Sequence, residues 1–292
     1  MSVIRRFLAS GLMATLLLNV APAVSPAAAA SACTMFPYYH YGAVFTSRQS
    51  GAYHCQTPPA PTTTWDGIVG VIGTPAGSIS ENINDSHVAA WIGVAFYSGT
   101  QQTGWVQIGW SEGTNGIRGT GAGCSQKTQS KPTIYVEAEA TSGGPSFNCN
   151  IGASSLYYFL DYSTPMPASY AVSFLVQYQG GGCWLLTAPA AGVSDSLCHF
   201  GSGDTQGEAA AKLEIENTGV TSVTVPTTVF GAASTSAGAL ELHNPSVGWH
   251  IWDTTITSAT YDERNNANPC VKQSDYYNYY KFLTLARTAA GC

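Results

Sequence analysis

From Gly67 to Thr257 the chain is a succession of short alternating or β-branched runs separated by Gly, Pro, Asn and Ser. The runs are Gly67–Ile72, Val88–Tyr97, Gly104–Trp110, Thr133–Ala140, Leu156–Leu160, Tyr170–Tyr178, Cys183–Thr187, Ala209–Glu216, Val220–Val225, Ala239–Leu242 and Gly248–Thr257. None carries the three-to-four-residue apolar spacing of an amphipathic helix. Many short strands punctuated by turn residues predict an all-β chain, a two-sheet antiparallel β-sandwich, long enough for two sheets and one core. The exception is Ser274 to Leu285, where Ser274-Asp275 has the chemistry of an N-cap and predicts a short C-terminal helix.

The N-terminus has a different character. Arg5 and Arg6 precede an apolar run from Phe7 to about Val20 and a small-residue stretch ending in Ala27–Ala32, the pattern of a secretory signal peptide covering residues 1–30. The apolar run is shorter than the roughly 20 residues a membrane span needs. The mature chain is expected to be secreted, with no membrane association. Residues 31–64 read as an N-terminal extension held by a disulfide, with a propeptide remnant as the alternative, and closed by the linker Thr57–Thr64, whose prolines exclude helix and central strand. Residues 65–292 form the sandwich domain with its C-terminal tail.

All eight cysteines lie beyond the signal peptide, and an even count in an exported chain implies disulfides. Sequence neighbours suggest the pairs 33–55, 124–149, 183–198 and 270–292, although eight cysteines permit about 105 connectivities. No Cys-x-x-Cys occurs, and none of the six histidines has ligand spacing, so no metal and no cofactor are expected. Charged residues make up 10% of the chain; with Arg5 and Arg6 removed, 9 basic residues remain of 11, against 17 acidic ones. That balance argues against nucleic acid as a partner. The chain is expected to be a monomer acting on protein or peptide, with glycan as the alternative ligand.

Three runs combine an apolar face with a Gln/Glu face. In Gly104–Trp110, Val106, Ile108 and Trp110 share one side, Trp105 and Gln107 the other. In Thr133–Ala140, Ile134, Val136 and Ala138 oppose Tyr135, Glu137 and Glu139. In the run from Glu208 to Glu216, Ala209, Ala211, Leu213 and Ile215 oppose Glu208, Lys212, Glu214 and Glu216. Half-buried strands have polar outer faces without any function, so chemistry requires these residues to converge.

Ala90-Trp91-Ile92-Gly93-Val94, Trp105-Val106-Gln107-Ile108-Gly109, Tyr135-Val136-Glu137, Ala211–Asn217 and Val225-Pro226 follow the order of landmarks in the glutamic peptidases of the eqolisin type, which this chain resembles from about Gly67 to Ala233. The resemblance implies a concanavalin A-like jelly-roll sandwich and acid-type endopeptidase activity. It implies Gln107 and Glu216 as the catalytic pair, with Trp91, Trp105, Glu137 and Glu214 on the substrate side. A carboxylate takes a proton from water as it attacks the peptide carbonyl, and a carboxamide holds the water or the oxyanion. The sequence departs from the family at Ala95, where the family has aspartate, and at Trp110-Ser111, which replaces a second one. Val136 and Ala138 replace the aromatics flanking the family's glutamate, and an insertion with Cys124 separates Gln107 from Glu137. Gln206-Gly207-Glu208 is similar to the Gly-Gly-Glu of neprosin-type glutamic peptidases; these use glutamate in place of Gln107, which favours Glu216 over Glu208 as the acid/base.

Two other classes compete. A lectin-like sandwich binding carbohydrate or envelope polymer would suit the lost aspartates and the aromatics Trp249, Trp252, Tyr276, Tyr277, Tyr279 and Tyr280, although aromatics at such spacings usually belong to a core. A glycoside hydrolase would need two carboxylates about 5 to 9 Å apart, which Glu137/Glu139 or Glu214/Glu216 could supply. No Gly-x-Ser-x-Gly elbow supports a serine hydrolase.

Overall fold

The computed structural model describes residues 39–46, 65–74, 86–98, 101–115, 127–140, 149–152, 155–167, 171–198, 200, 207–217, 228–231, 238–246, 248–252, 260–264, 271–276 and 281–286, with side chains for part of these. The predicted all-β architecture is what the chain adopts: two antiparallel sheets enclose one core.

The first sheet contains β1 (Tyr39–Thr46), β3 (Ser86–Ser98), β4 (Gln101–Asn115), β5 (Lys127–Ala140), β6 (Cys149–Gly152), β7 (Ser155–Pro165), β11 (Gly207–Asn217) and β15 (Thr260–Arg264). Across the sheet their order is β15-β1-β11-β3-β4-β5-β7-β6. The second is built on β2 (Gly67–Gly73), β8 (Ala171–Gly180), β9 (Cys183–Ala188), β10 (Val193–Leu197), β12 (Thr228–Gly231), β16 (Val271–Tyr276) and β17 (Lys281–Ala286), in the order β10-β9-β8-β2-β12-β17-β16. The hairpin of β13 (Glu241–Asn244) and β14 (Gly248–Ile251) also pairs with β2.

The apolar faces read from the alternation are the ones that meet. Val106, Ile108, Ile134, Val136, Ala138, Ala209, Ala211 and Leu213 are fully buried, and Trp110 nearly so. From the second sheet Ile68, Ile72, Phe174, Val176, Trp184, Phe230 and Leu242 pack against them, with Trp65 and Trp252. Burying a side chain of this size contributes about 1.5 to 3 kcal/mol. Trp252 is thus a core residue, as aromatics usually are, rather than part of a surface platform.

The C-terminal helix is not formed. Val271–Tyr276 and Lys281–Ala286 are strands β16 and β17, the latter paired with β12 through Leu283↔Val229 and Phe282↔Phe230. Residues such as Tyr276, Phe282 and Thr284 suit a pleated surface, and a neighbouring edge to pair with outweighs one capping residue. Among the described residues there is no α-helix, only a 3-10 turn at Pro189–Ala191. The extension also contributes more than a tether, because β1 pairs along β11 from Tyr39↔Asn217 to Thr46↔Ala210. Residues 1–30, the linker Thr57–Thr64 and the run Val220–Val225 lie outside the described residues, as do the side chains of the cysteine pairs 33–55, 124–149 and 270–292. The pair Cys183–Cys198 is bonded as the sequence spacing suggested.

Two residues just before β2 tie the sheets together. Trp65 forms a two-way backbone bridge with Gly207 at the start of β11, both N–H to O distances being 2.9 Å. Asp66 donates its N–H to the His243 carbonyl, accepts the Tyr178 N–H, and meets His243 Nδ1 with its carboxylate. Asp66 is buried, so this histidine is the partner a buried carboxylate requires. Trp249 tilts against the same imidazole at 4.9 Å between centroids.

Two predictions follow from packing and covalent geometry. At Gly109 a Cβ would collide with the Ala90 carbonyl and lie 2.7 Å from the Trp91 Cα, both backbone. Gly109→Ala is expected to cost about 3 kcal/mol in chemical denaturation, the upper range for overpacking. Replacing Cys183 and Cys198 by serine opens a bridge with a sequence separation of 15 and should lower stability by about 3 kcal/mol in the same measurement.

Candidate functional site

Antiparallel register converts the three Gln/Glu strands into one surface. Directly paired residues share a face, so each row across the first sheet can be followed through β11, β3, β4 and β5. The central row is Ala210, Gly93, Gln107 and Glu137. On one side of it lies the row Glu208, Ala95, Trp105 and Glu139; on the other lies Lys212, Trp91, Gly109 and Tyr135. All these positions fall on the face turned away from the core.

Gln107 is the centre of the arrangement and is not the exposed amide that a polar outer face suggested: it is only 3% exposed. Burial obliges a carboxamide to find partners. Its Nε2 donates to Glu137 Oε2 at 2.8 Å and to the Tyr135 hydroxyl at 3.0 Å. Both partners stand on β5, one directly opposite and one two residues along. The nitrogen therefore points toward β5. Glu137 is partly buried and Tyr135 is 1% exposed. Tyr135 was placed on this face by alternation, but no sequence pattern identified it as a partner of Gln107.

The strand between Gln107 and β11 is kept low by small residues. Gly93 stands directly opposite Gln107, where a Cβ would lie 2.6 Å from the Val106 carbonyl and 2.9 Å from the Gln107 Cβ. Ala89 and Ala95 continue the pattern. The indole of Trp91 is buried at the next outward position, while Trp105 is partly exposed in the row of Ala95.

Register separates the two candidate acids on β11. Glu216 pairs with His87, six residues along β3 from the Gly93 that faces Gln107. That is about 20 Å at the rise of a strand, so the structure does not bring positions 107 and 216 together. Glu214 pairs with Ala89, four residues away, about 13 Å along the strand. Position 208 pairs with Ala95, two residues from Gly93. It lies two strands from Gln107, about 10 Å sideways and about 7 Å along. The sequence order of landmarks pointed to 216 because alternation puts 208, 214 and 216 on one face and says nothing of distance along it.

The other sequence candidates divide simply. Trp91, Trp105 and Glu137 fall within one row of Gln107. Trp249 stands against His243 on the β13–β14 hairpin of the second sheet. Among the described residues no cluster of His, Cys, Asp or Glu could hold a metal ion.

No protein-family model matches the chain, and no curated protein matches it in sequence. Among solved structures it is similar to scytalido-glutamic peptidase with a peptide-based transition-state analogue, at 14% identity and a TM-score of 0.45, over 86% of this chain and 99% of that one. It is also similar to SCP-B, a member of the eqolisin family of peptidases, in a complex with the tripeptide Ala-Ile-His, at 12% identity and a TM-score of 0.43, over 86% of this chain and 99% of that one.

Proposed function

We propose that this chain is an exported peptide hydrolase of the glutamic type, with Gln107 and Glu208 acting on one water from neighbouring rows of the first sheet. The observation that carries the reading is the buried Gln107 amide, held from the β5 side by Glu137 and Tyr135 and separated from position 208 only by Gly93 and Ala95. An amide fixed in this way is costly unless its position is used, since a strand face is more simply filled by an apolar residue.

In this mechanism the Glu208 carboxylate removes a proton from water while the water oxygen bonds to the carbonyl carbon of a peptide. The carbonyl π pair moves to oxygen, giving a tetrahedral adduct. Gln107 is the neutral partner that orients the water through its oxygen or stabilises the oxyanion through its nitrogen. Glu208 then returns the proton to the amide nitrogen as the C–N bond breaks. Trp105, in the row of position 208, supplies apolar contact for the substrate chain. The cycle needs no metal or cofactor, and it requires Glu208 ionised at the outset.

The test is hydrolysis of an unfolded protein by the purified mature chain from about pH 2 to about pH 7, with variants checked for folding. Glu208→Gln is expected to lose roughly a thousandfold in kcat, within the range for general acid–base groups. Gln107→Ala should lose about a hundredfold or more, while Glu216→Gln stays within a few-fold of the parent. Loss of activity in Glu216→Gln with retention in Glu208→Gln would overturn the assignment, and a folded parent that cleaves nothing would overturn the reading itself.

A further inference from the structure

The peptide group that joins Trp65 to Asp66 has a hydrogen bond to each sheet. Its carbonyl, on Trp65, accepts the Gly207 N–H at 2.9 Å, and its N–H, on Asp66, donates to the His243 carbonyl at 3.0 Å. The peptide is trans, so the two groups point in opposite directions from one plane that resists twisting. Gly207 opens β11 in the first sheet, and His243 lies on β13, which pairs with β2 in the second. A displacement at His243 is therefore carried to Gly207 by a rigid unit.

His243 holds Asp66 at two points. Besides its carbonyl, its Nδ1 meets the Asp66 carboxylate, with the ring nitrogen as donor because a carboxylate only accepts. A backbone bond and a side-chain bond between the same two residues fix orientation as well as separation. The Asp66 carbonyl accepts the Tyr178 N–H at 2.8 Å, which anchors the following peptide group to β8. The Asp66 side chain is 7% exposed and the imidazole 20%, so water competes little for the bond between them. Trp249 lies against the ring, and a Cβ on Gly67 would come within 3.0 Å of both the His243 Cβ and the Trp249 Cη2. The imidazole is thus seated between an indole and bare backbone.

The head of β11 depends on such support. On one side β3 flanks it, with Gly207 opposite Phe96 and position 208 opposite Ala95. On the other side β1 reaches along β11 as far as Thr46↔Ala210. Among the described residues, Trp65 is what meets Gly207 beyond that point, and both backbone polar groups of Gly207 are used in the bridge. Glycine has the widest backbone freedom of any residue, so these bonds, rather than a side chain, set its place. From this series of contacts we infer that Asp66 and His243 are positioning residues for position 208, acting on it through the Trp65–Asp66 peptide. Neither has a part in the proton transfers, and their effect on hydrolysis rests on the peptidase reading.

The experiment uses the full mature chain and two measurements, amide hydrogen exchange by NMR and steady-state hydrolysis of an unfolded protein. His243→Ala removes the Nδ1 donor and leaves the backbone carbonyl. His243→Asn keeps a side-chain N–H near the same place. In His243→Ala the Gly207 amide is expected to exchange at least about tenfold faster, the scale for losing a hydrogen bond to a charged group. The Met166 amide, bonded to the Pro132 carbonyl away from the clasp, should keep the parent's rate. The same variant should lose about a hundredfold in kcat with KM unchanged, as expected when a catalytic group is displaced without loss of substrate contacts. His243→Asn should restore both readouts toward the parent. If His243→Ala does not fold, Asp66→Asn, which keeps an acceptor for Nδ1 and removes the charge, should accelerate Gly207 selectively by a smaller factor.

Gly207 protection that stays at the parent's level, or that falls in step with Met166, overturns the inference in whichever of these variants folds. So does a selective loss of Gly207 protection that leaves kcat unchanged in an active chain. A parent that cleaves nothing overturns the peptidase reading; selective loosening of Gly207 in its variants would still support the coupling of the two sheets, so the two failures are distinguishable.

Discussion

A buried carboxamide cannot be left without partners, and the polar face of the first sheet is arranged around that constraint. Gln107 is taken out of water by its neighbours and repaid by Glu137 and Tyr135, both on the adjacent strand β5. The close approach that makes this possible depends on backbone without side chains. Gly93 opposite Gln107 and Gly109 opposite Trp91 stand where a Cβ would strike the facing strand. The same tightness brings β3, β4 and β5 together over a core of Val106, Ile108, Val136 and Ala138. Side chains on both faces of these strands are packed, so the register of the sheet cannot slip without exposing the core.

The second sheet is joined to the first at the head of β11. Trp65 and Asp66 form a clasp: the first bridges to Gly207 at the head of β11, and the second reaches His243 and the Tyr178 amide. Position 208 is the next residue after that bridge. The beginning of β11 is therefore pinned on three sides, by Trp65, by β3 and by the pairing of β1 further along the strand. A site built on strands held in this way is more exact than one carried by loops.

Alternation made the faces legible, and register was the part it could not supply. The side-chain period of a strand is two residues, so Glu208, Glu214 and Glu216 share a face in every in-phase alignment with β3. Which of them approaches Gln107 depends on pairing between segments more than 100 residues apart in sequence, fixed by the core and by the clasp at Trp65. The burial of Gln107 was hidden for a related reason, because a polar residue on an outward face reads as solvated until its cross-strand neighbours are known. The C-terminal segment was misread in the opposite direction. Ser274-Asp275 is a good local cap, but the free edge of β12 and the apolar partners Val229 and Phe230 gave Lys281–Ala286 a strand to join.

Where this sequence departs from the family it resembles, the departures fall in one row of the sheet. Position 95, where the resemblance implies an aspartate, is alanine and sits directly between position 208 and Trp105. An aspartate there would place a second carboxylate opposite Glu208 at the spacing of a cross-strand pair, where like charges are unfavourable. The row keeps a carboxylate nonetheless, at Glu139 on β5, three strands from position 208 and about 14 Å away. Glu139 lies on the far side of Trp105 from position 208, on the same strand as Glu137 and Tyr135. The acidic groups of this face are thereby sorted into two sets. Position 208 lies at the head of β11 and positions 137 and 139 lie on β5, with Gly93 and Ala95 of β3 in the rows between them.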